Sequence, residues 1–566
     1  MITTNNQPIT GGAAIVAALV ENGVDTVFGL PGAQMYPLFD ALHGQHKSIA
    51  TITTRHEQAA AYMAFGYAKS TGKPGVFSVV PGPGVLNTTA ALCTAWGASV
   101  PVLCLTGQVP SEFLGRGRGH LHELPDQLAT LRTLTKWAAR IDRPADAPRA
   151  VNAAFQQMLS GRPGPASLEM AWDIMASREP VTIEQAAKPA PAPPPDPDAI
   201  ERAARILVDA HQPMIMVGGG AQHASAAVLA LAEELGAPVT AFRGGRGIVS
   251  EDHGLGASSY AGFLMWAKTD ALIGIGSRLE MPYMRWANMM TLIDRPQAPP
   301  HLIRIDIDPL EMGRLKPHVG IVADAAEAAE ALSDAVRKLR KGSRPRAANA
   351  AARKRIATAK LAAHKAVQQV QPQAGYLAVI RQVLPRDGFF VEELCQAGFA
   401  SYFAFPVYEP RSYVSSGFQG TLGFGFQTAL GVKVAHPDRA VVSISGDGGF
   451  LFGVQELATA AQYAIGVISI VFNNSSYGNV RRDQQERFEG HLIGADLLNP
   501  DFVRLAESFG VAGYRVTSPQ DLKPVLERAI ADNKPALIEV VIERGTETSP
   551  WPFIHTGVAP PPGSNQ

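Results

Sequence analysis

The sequence has little cysteine, no excess of charge of either sign and no long apolar run. Only Cys93, Cys104 and Cys395 occur among 566 residues, and none forms a CxxC pair. An odd number excludes a complete set of disulfides, and the spacing gives no cysteine pair for a metal. We therefore expect buried thiols in a reducing compartment. Fifty basic residues balance fifty acidic ones, so nothing in the composition favours nucleic acid or an anionic membrane as a partner.

Segments typical of export or membrane insertion are also absent from the sequence. No stretch reaches the roughly 18 uninterrupted apolar residues of a membrane span. Residues 1–8 lack the basic start and apolar run of an export signal. We expect a cytoplasmic protein with small-molecule partners. Its length and 46% hydrophobic content allow several buried cores, which predicts about three or four domains.

Three stretches alternate between helical patterns and short β-branched runs, which predicts three parallel-sheet α/β domains. A proline-rich stretch and an Ala-, Lys- and Arg-rich helical pattern separate them. The predicted limits are 1–185 for the first domain, 186–197 for the proline-rich linker, 198–340 for the central domain, 341–370 for a linker helix, 371–545 for the third domain and 546–566 for a carboxyl-terminal tail. A proline-rich end of this kind is either a simple tail or a lid over a site.

The strongest local signal consists of two strand-like runs that each end in polar residues. The run 441–445 leads into Gly-Asp-Gly-Gly at 446–449, and the run 467–472 leads into Asn-Asn. A helical pattern between them predicts a right-handed crossover joining neighbouring parallel strands. Asp447 and Asn474 would then reach one ion at the carboxyl edge of the sheet. The glycines would admit a diphosphate, with the following helix pointing its amino end at it, and the oxygen ligands suit Mg²⁺.

Each of these fragments has a plain structural alternative. Gly-Asp-Gly by itself is usually a turn, and Asn-Asn by itself usually ends a strand. Their joint occurrence after two strands linked by one crossover favours the phosphate and metal interpretation.

These motifs resemble the signature of the thiamine diphosphate enzyme family, in which Gly-Asp-Gly precedes Asn-Asn by some two dozen residues. The resemblance covers nearly the whole chain and is strongest to acetolactate synthases and benzaldehyde lyase. The matching stretches, in order, are Phe28–Gly32, Arg55–Glu57, Pro81–Gly84, Ile305–Pro309 and Gly420–Gly425. The resemblance implies a pyrimidine-binding, a central and a diphosphate-binding domain.

The resemblance also implies roles for individual residues. Glu57 would hydrogen-bond the aminopyrimidine ring and trigger loss of the thiazolium C2 proton. Leu422 would press the two coenzyme rings into a V, and Gly420 would offer its carbonyl to the amino group. Without the resemblance, Glu57 would be an ordinary acidic residue at a helix start and Leu422 a core leucine.

By the same resemblance, the Mg²⁺ ligands are the side chains of Asp447 and Asn474 and the carbonyl of Ser476. The other residues expected around the coenzyme are Gly32, Pro83, Asn87, Gln396, Gly446, Gly448, Gly449, Tyr477 and Gly478. The central domain resembles the one that binds FAD in acetolactate synthases, through Gly218–Ala221, Arg278 and Ile305–Pro309. In other relatives this domain is empty or holds another nucleotide, so FAD stays an open alternative.

The substrate-facing positions depart from acetolactate synthases. The candidates are Ala33, Gln34, Phe113, His122, Asn479, Val480 and Asp483. Acetolactate synthases usually carry Gln at the position of His122 and Met and Trp at those of Asn479 and Asp483. Polar replacements should change which acceptor fits, because a buried unpaired polar group costs about 1–3 kcal/mol. We interpret Gln34 and His122 as catalytic, His122 as a proton shuttle; the alternative is a solvated loop histidine.

The resulting expectation is a thiamine diphosphate- and Mg²⁺-dependent carboligase or lyase acting on 2-oxo acids or 2-hydroxyketones. Two alternatives remain open. One is a 2-oxo acid decarboxylase that releases an aldehyde, and the other is a catalytically silent homologue that only binds the coenzyme. The resemblance further implies a homodimer or homotetramer, because family members join Glu57 of one subunit to the diphosphate motif of another.

Overall fold

The computed structural model describes residues 3–279, 299–341 and 345–554. Over these ranges the backbone forms three six-stranded sheets, each parallel throughout, and one two-stranded antiparallel ribbon. None of the helices in the described ranges has the length and apolar character needed to cross a membrane. The predicted fold class, three parallel-sheet α/β domains, is confirmed.

The first sheet and the ribbon use the amino-terminal strands. These are β1 (Thr3–Thr10), β2 (Thr26–Gly29), β3 (Ala50–Thr53), β4 (Gly75–Val79), β5 (Val102–Gln108), β6 (Trp137–Ile141), β7 (Ala166–Ala171) and β8 (Arg178–Ile183). The sheet order is β3-β2-β4-β5-β7-β6, and β1 pairs with β8. The helices are α1 (Gly11–Glu21), α2 (Tyr36–Gly44), α3 (Glu57–Thr71), α4 (Pro83–Asn87), α5 (Thr89–Ala98), α6 (Gln127–Leu134), α7 (Ala147–Leu159) and α8 (Trp172–Ala176).

The second sheet forms the central part of the chain. Its strands are β9 (Pro213–Val217), β10 (Val239–Thr240), β11 (Gly256–Ala257), β12 (Ala271–Ile275), β13 (His301–Asp306) and β14 (Val319–Val322), in the order β11-β10-β9-β12-β13-β14. The helices are α9 (Pro197–Asp209), α10 (Ser225–Leu235), α11 (Ser259–Trp266), α12 (Glu311–Arg314), α13 (Ala325–Leu339) and α14 (Ala350–Val367).

The third sheet carries the strongest sequence motif. Its strands are β15 (Phe389–Val391), β16 (Tyr413–Val414), β17 (Val441–Gly446), β18 (Ile468–Asn473), β19 (Ala512–Val516) and β20 (Ala536–Val541), in the order β16-β15-β17-β18-β20-β19. The helices are α15 (Gln373–Val383), α16 (Gln396–Ala404), α17 (Gly425–Ala435), α18 (Asp447–Phe450), α19 (Leu457–Gln462), α20 (Gly478–Arg487), α21 (Phe502–Ser508), α22 (Pro519–Asp532) and α23 (Trp551–Ile554).

The predicted tail is partly built into the third domain. In α23 the Trp551 ring lies 5.0 Å from that of Phe399, and Phe553 stacks at 5.0 Å on Phe403. Ile554 is buried among these side chains. Apolar burial therefore fixes this stretch, whereas residues 555–566 of the predicted tail lie outside the described residues.

Helices α3 and α17 join the first and third domains along a face of small residues. The His56 ring caps α3 by accepting a hydrogen bond from the Gln58 N–H at 3.1 Å, and Gly72 ends it in the left-handed conformation, with φ 77°. A Cβ on Gly66 would lie 2.1 Å from the Thr428 carbonyl oxygen. The absence of side chains at such glycines lets the two backbones meet, and Phe65 and Phe424 share one buried core beside them.

Adding one methyl group at this crossing should destabilise the protein. A Cβ on Gly431 would lie 1.9 Å from the Met63 carbonyl oxygen. We expect Gly431→Ala to lower the free energy of unfolding by about 1–3 kcal/mol, the usual cost of overpacking a core. Urea denaturation measures this difference. Gly44→Ala, at the exposed end of α2 where a Cβ meets no atom within 4 Å, is the control and should keep wild-type stability. Equal stability of both variants would contradict the close packing.

Candidate active site

Two polar clusters follow β17 and β18 at the carboxyl edge of the third sheet. The two strands pair in parallel, with Gly446 opposite Phe472, so the predicted adjacency is confirmed. The helix expected after Gly449 begins instead at Asp447, which corrects the prediction. Asp447 Oδ1 accepts a hydrogen bond from the Gly448 N–H at 2.9 Å, and this contact satisfies one of the free N–H groups at the helix start.

Oxygen atoms of the two predicted metal ligands converge on one backbone group. The Ser476 N–H donates to Asp447 Oδ2 at 3.2 Å and to Asn474 Oδ1 at 3.1 Å. Asn499, which sequence reasoning missed, donates through Nδ2 to Asp447 Oδ2 at 2.7 Å and to Asn473 Oδ1 at 2.9 Å. Burial raises the pKa of the Asp447 carboxyl, and the hydrogen bond from Asn499 opposes that rise. The two strand ends thus direct hard oxygen atoms to one point.

The glycines beside this point leave no room for side chains. A Cβ on Gly448 would lie 2.4 Å from Tyr477 Cε1, and one on Gly449 would lie 1.9 Å from Glu393 Oε1. Glycine at both positions therefore lets Tyr477 and Glu393 pack directly against the backbone of this turn. The predicted coenzyme residues Gly446, Gly448, Gly449, Asn474, Ser476 and Tyr477 lie in this one cluster.

Three further predicted residues border the same cluster. A Cβ on Gly478, the first residue of α20, would lie 3.7 Å from Gln396 Nε2. A Cβ on Gly449 would lie 3.6 Å from Leu422 Cδ2. Gly420 takes the left-handed conformation, with φ 56°, and so allows the chain to turn just before Leu422. The structure brings Gln396, Leu422 and Gly478 to the glycine-rich edge, and Gly420 lies two residues before Leu422.

A buried carboxylate holds the loop that carries Leu422, and no sequence motif pointed to it. Glu393 Oε1 accepts from the Gly423 N–H at 3.0 Å, and Oε2 accepts from the Gly425 N–H at 2.7 Å and from the Ser445 hydroxyl at 3.2 Å. These bonds tie the Leu422 loop to β17. Because the anchor is a set of backbone donors rather than a charged partner, it leaves no pattern in the sequence.

A second cluster lies in the first domain around Glu57, the first residue of α3. Asn87 Nδ2 donates to Glu57 Oε2 at 3.0 Å. A Cβ on Gly84 would lie 3.7 Å from Glu57 Oε1, and those on Gly84 and Gly32 would both contact Val80. The cluster contains the predicted coenzyme residues Gly32, Glu57, Pro83 and Asn87.

Gln34 and His122 form a hydrogen-bonded pair beside this cluster. Gln34 Nε2 donates to the Leu121 carbonyl at 2.8 Å, and Gln34 Oε1 lies 2.8 Å from His122 Nδ1. Since the amide oxygen only accepts, Nδ1 of His122 must donate to Gln34, and Nε2 is the ring nitrogen that does not contact Gln34. His122 has a left-handed backbone, with φ 67°, and a Cβ on Gly82 would lie 2.4 Å from its carbonyl oxygen. The loop is held in place by tertiary contacts.

The two clusters are not directly bonded within one chain. Over residues 3–279, 299–341 and 345–554, no hydrogen bond or ion pair joins Glu57, Gln34 or His122 to the 446–449 or 474–478 segments. Each cluster instead belongs to the carboxyl edge of its own sheet.

The carboxyl-terminal segment adds two residues to the third-domain cluster. Asn474 Nδ2 donates to Glu547 Oε2 at 2.6 Å, and Trp551 Nε1 donates to Asn479 Oδ1 at 2.6 Å. Burial raises the pKa of the Glu547 carboxyl, the bond from Asn474 lowers it, and the nearby charge of Asp447 raises it. Both residues were missed because the segment has no motif of its own.

The predicted substrate-facing residues divide between the two domains. Asn479, Val480 and Asp483 lie on α20, where Val480 is half exposed. Ala33 and Gln34 lie in the turn Ala33–Met35, and Phe113 ends the turn Ser111–Phe113 with its ring 4.1 Å from that of His120. Asn479 Oδ1 already accepts from Trp551 and from Arg482, so it serves the fold of this region as well.

The site contains too few charged ligands to hold a metal by itself. In the part of the chain that the structure describes, no group of three or more His, Cys, Asp or Glu side chains is arranged for a metal ion. The converging oxygens of Asp447 and Asn474 fit Mg²⁺ only when coenzyme oxygens and water complete the coordination, as is usual for this ion.

The residues that resemble an FAD site carry several close contacts. The Arg278 guanidinium lies 4.7 Å over the Phe418 ring and its Nε is 3.9 Å from Glu311 Oε1. The Gly220 N–H donates to the Gly276 carbonyl at 3.1 Å, so the turns after β9 and β12 contact each other. Burial raises the pKa of Asp306, at the end of β13, to about 6.

Three parallel-sheet domains with a glycine-lined phosphate edge in the third define a class of α/β enzymes that bind a diphosphate coenzyme. Three family models match this chain. The amino-terminal thiamine pyrophosphate-binding domain of thiamine pyrophosphate enzymes matches residues 9–130, their central domain matches residues 200–332, and their carboxyl-terminal thiamine pyrophosphate-binding domain matches residues 395–540. The chain belongs to the thiamine pyrophosphate enzyme family.

Relatives match the chain over nearly its whole length. A probable acetolactate synthase large subunit from Methanocaldococcus jannaschii is 34% identical over 94% of this chain and 92% of its own. A probable 2-ketoarginine decarboxylase from Pseudomonas aeruginosa is 34% identical over 91% of this chain and 90% of its own. A glyoxylate carboligase from Escherichia coli is 32% identical over 95% of this chain and 93% of its own.

Two adjacent buried glutamates should make stability depend on pH. Burial raises the pKa of both Glu392 and Glu393 to about 7, and Glu392 Oε2 has no hydrogen-bond partner among the described residues. Because the unfolded chain ionises first, stability should fall as pH rises from about 4.5 to 7.

Glu392→Gln should reduce the fall of stability with rising pH, by at most about 3 kcal/mol in the free energy of unfolding. Unfolding in urea at pH 5.5 and pH 8 measures the difference for wild type, Glu392→Gln and the exposed control Glu233→Gln. The control should keep the wild-type pH dependence. An unchanged pH dependence in Glu392→Gln would show that Glu392 does not titrate in this range.

Proposed function

We propose that the chain is a thiamine diphosphate- and Mg²⁺-dependent carboligase or lyase acting on 2-oxo acids or 2-hydroxyketones. The observation that carries the proposal is the convergence of Asp447 and Asn474 oxygens on the Ser476 N–H, beside a glycine-lined edge. The relatives named as acetolactate synthase and glyoxylate carboligase support the choice of reaction.

Bound thiamine diphosphate supplies a carbon that can stabilise negative charge next to a former carbonyl group. Asp447, Asn474 and the Ser476 carbonyl would hold Mg²⁺ against the diphosphate. Gly448, Gly449 and the amino end of α20 would meet the phosphate oxygens.

At the pyrimidine end, Glu57 would accept and return a ring proton. Its Oε2 is held by Asn87, which leaves Oε1 for the ring. Leu422 would press on the bound rings from a loop that Glu393 holds in place. His122 Nε2, the ring nitrogen that does not contact Gln34, would be the proton acceptor on the substrate side.

The active unit we propose is a homodimer or a homotetramer. Support comes only from the family resemblance, in which the pyrimidine cluster of one subunit meets the diphosphate motif of another. FAD in the central domain remains part of the proposal only as a structural group, and the visible absorption spectrum of the purified protein tests for it.

Exchange of the coenzyme C2 proton tests the coenzyme assignment directly. In Glu57→Gln we expect the exchange rate, followed by NMR in D₂O, to fall at least a hundredfold while coenzyme binding persists, because the amide cannot take the ring proton. Gln58→Ala is the neighbouring control and should exchange at nearly the wild-type rate. Fast exchange in Glu57→Gln would contradict the role of Glu57.

Product analysis separates the proposed carboligase from a decarboxylase, the second candidate, which the 2-ketoarginine decarboxylase relative supports. Wild-type protein is incubated with coenzyme, Mg²⁺ and pyruvate or glyoxylate, with and without benzaldehyde. We expect a coupled hydroxyketone. Free aldehyde alone would favour the decarboxylase, and coenzyme binding without any C2 exchange would favour the catalytically silent homologue.

A further inference from the structure

Arg482 is a cation in the third-domain cluster that the motifs do not include. It lies on α20, one helical turn after Gly478, and helical side chains of this length point back toward the amino end of their helix. Its Nη1 donates to Gln396 Oε1 at 3.3 Å, and its Nη2 donates to Asn479 Oδ1. The guanidinium therefore lies between the amino ends of α16 and α20.

The charge of Arg482 has no close counter-ion in the described chain. No carboxylate of the described residues lies within 4.0 Å of its guanidinium nitrogens, and both of its hydrogen-bond acceptors are neutral amides. The Trp551 ring lies 6.0 Å from the guanidinium carbon. Burial lowers the pKa of the Arg482 guanidinium, and the more distant charges of Glu486, Asp483 and Glu547 oppose this only in part. An anion bound directly to the guanidinium would stabilise its charge further.

The neighbours of Arg482 indicate which anion this is. Gln396 borders Gly478 in the phosphate cluster. The charges of Glu486, Asp483 and Glu547 act on Arg482, and of these Glu547 is bonded to Asn474. These contacts lie at the diphosphate end of the site. Glu57 and His122, which would meet the reacting end, belong to the other cluster. Asn479, which Arg482 also bonds, is a substrate-facing candidate, but the contacts with Gln396 and the proximity of Glu547 to Asn474 favour a phosphate oxygen over a substrate carboxylate.

We propose that Arg482 binds the diphosphate of the coenzyme through its guanidinium group. This inference rests on the proposed function, because it requires thiamine diphosphate at the glycine-lined edge. Arg482 also bonds Asn479, which in turn bonds Trp551, so the same guanidinium links the bound phosphate to the carboxyl-terminal helix α23.

Binding affinities test the proposal without relying on turnover. Apo-protein is titrated by calorimetry with thiamine diphosphate and Mg²⁺, with inorganic diphosphate and Mg²⁺, and with thiamine, for wild type, Arg482→Gln and Arg482→Lys. We expect Arg482→Gln to weaken both diphosphate ligands at least tenfold and to leave thiamine binding unchanged. The affinity of Arg482→Lys for both diphosphate ligands should lie between those of wild type and Arg482→Gln. Lysine keeps the positive charge but loses the two-pronged hydrogen bonding of the guanidinium group.

Arg481→Gln is the matched control on the same helix. Its Nε lies 2.9 Å from Asp496 Oδ1, away from Gln396, and the variant should bind the coenzyme like wild type. Equal losses in the Arg481 and Arg482 variants would indicate damage to α20 and overturn the proposal. Circular dichroism and thermal unfolding check that each variant is folded.

Two further outcomes would overturn the assignment of the anion. Unchanged diphosphate affinity in Arg482→Gln, with a raised KM for a 2-oxo acid, would assign Arg482 to the substrate carboxylate. If Arg482→Gln changed neither the diphosphate affinity nor the KM for the 2-oxo acid, Arg482 would bind neither ligand. Failure of wild type to bind thiamine diphosphate at all would instead refute the proposed function, and with it this inference.

Discussion

The parallel pairing of β17 with β18 is the contact on which the candidate site depends. It places Asp447 and Asn474, which are separated by a whole crossover in the chain, at one edge of one sheet. The Ser476 N–H then meets an oxygen from each. A shift of one residue in this register would turn one of the two side chains to the opposite face, because side chains alternate along a strand.

Hydrogen bonds from backbone N–H groups and close packing at small residues hold the structure around this edge. Glu393 is fully buried and holds the Leu422 loop through two backbone N–H groups, while the space that Gly449 leaves free is filled by that same carboxylate. Glycines also allow α3 and α17 to meet, and this crossing fixes the first domain against the third. Rigid support of this kind is what a site needs in order to hold a coenzyme in one conformation.

The carboxyl-terminal segment makes the third-domain cluster less open than its motifs suggest. Glu547 contacts Asn474, and Trp551 contacts Asn479, so residues after the last strand of the domain meet residues that follow β18. Asn474 is thereby bonded on both sides of its amide: Nδ2 to Glu547 and Oδ1 toward Ser476. Fixing one side of an amide in this way decides which atom is presented to a cation, as outer contacts do for metal ligands generally.

The sequence by itself determined the fold class, the family and the two strand-end motifs, because strand periodicity, glycine-rich turns and the order of motifs are local properties of the chain. It also predicted Glu57 at the start of a helix, which the structure has as α3. Only the tertiary structure decided the Gln34–His122 pair, the bond from Asn499 to Asp447, the contact of Glu547 with Asn474 and the position of Arg482. Each of these joins residues distant in sequence through hydrogen bonds to amides or backbone groups, and such contacts impose no spacing or composition that a single sequence could reveal.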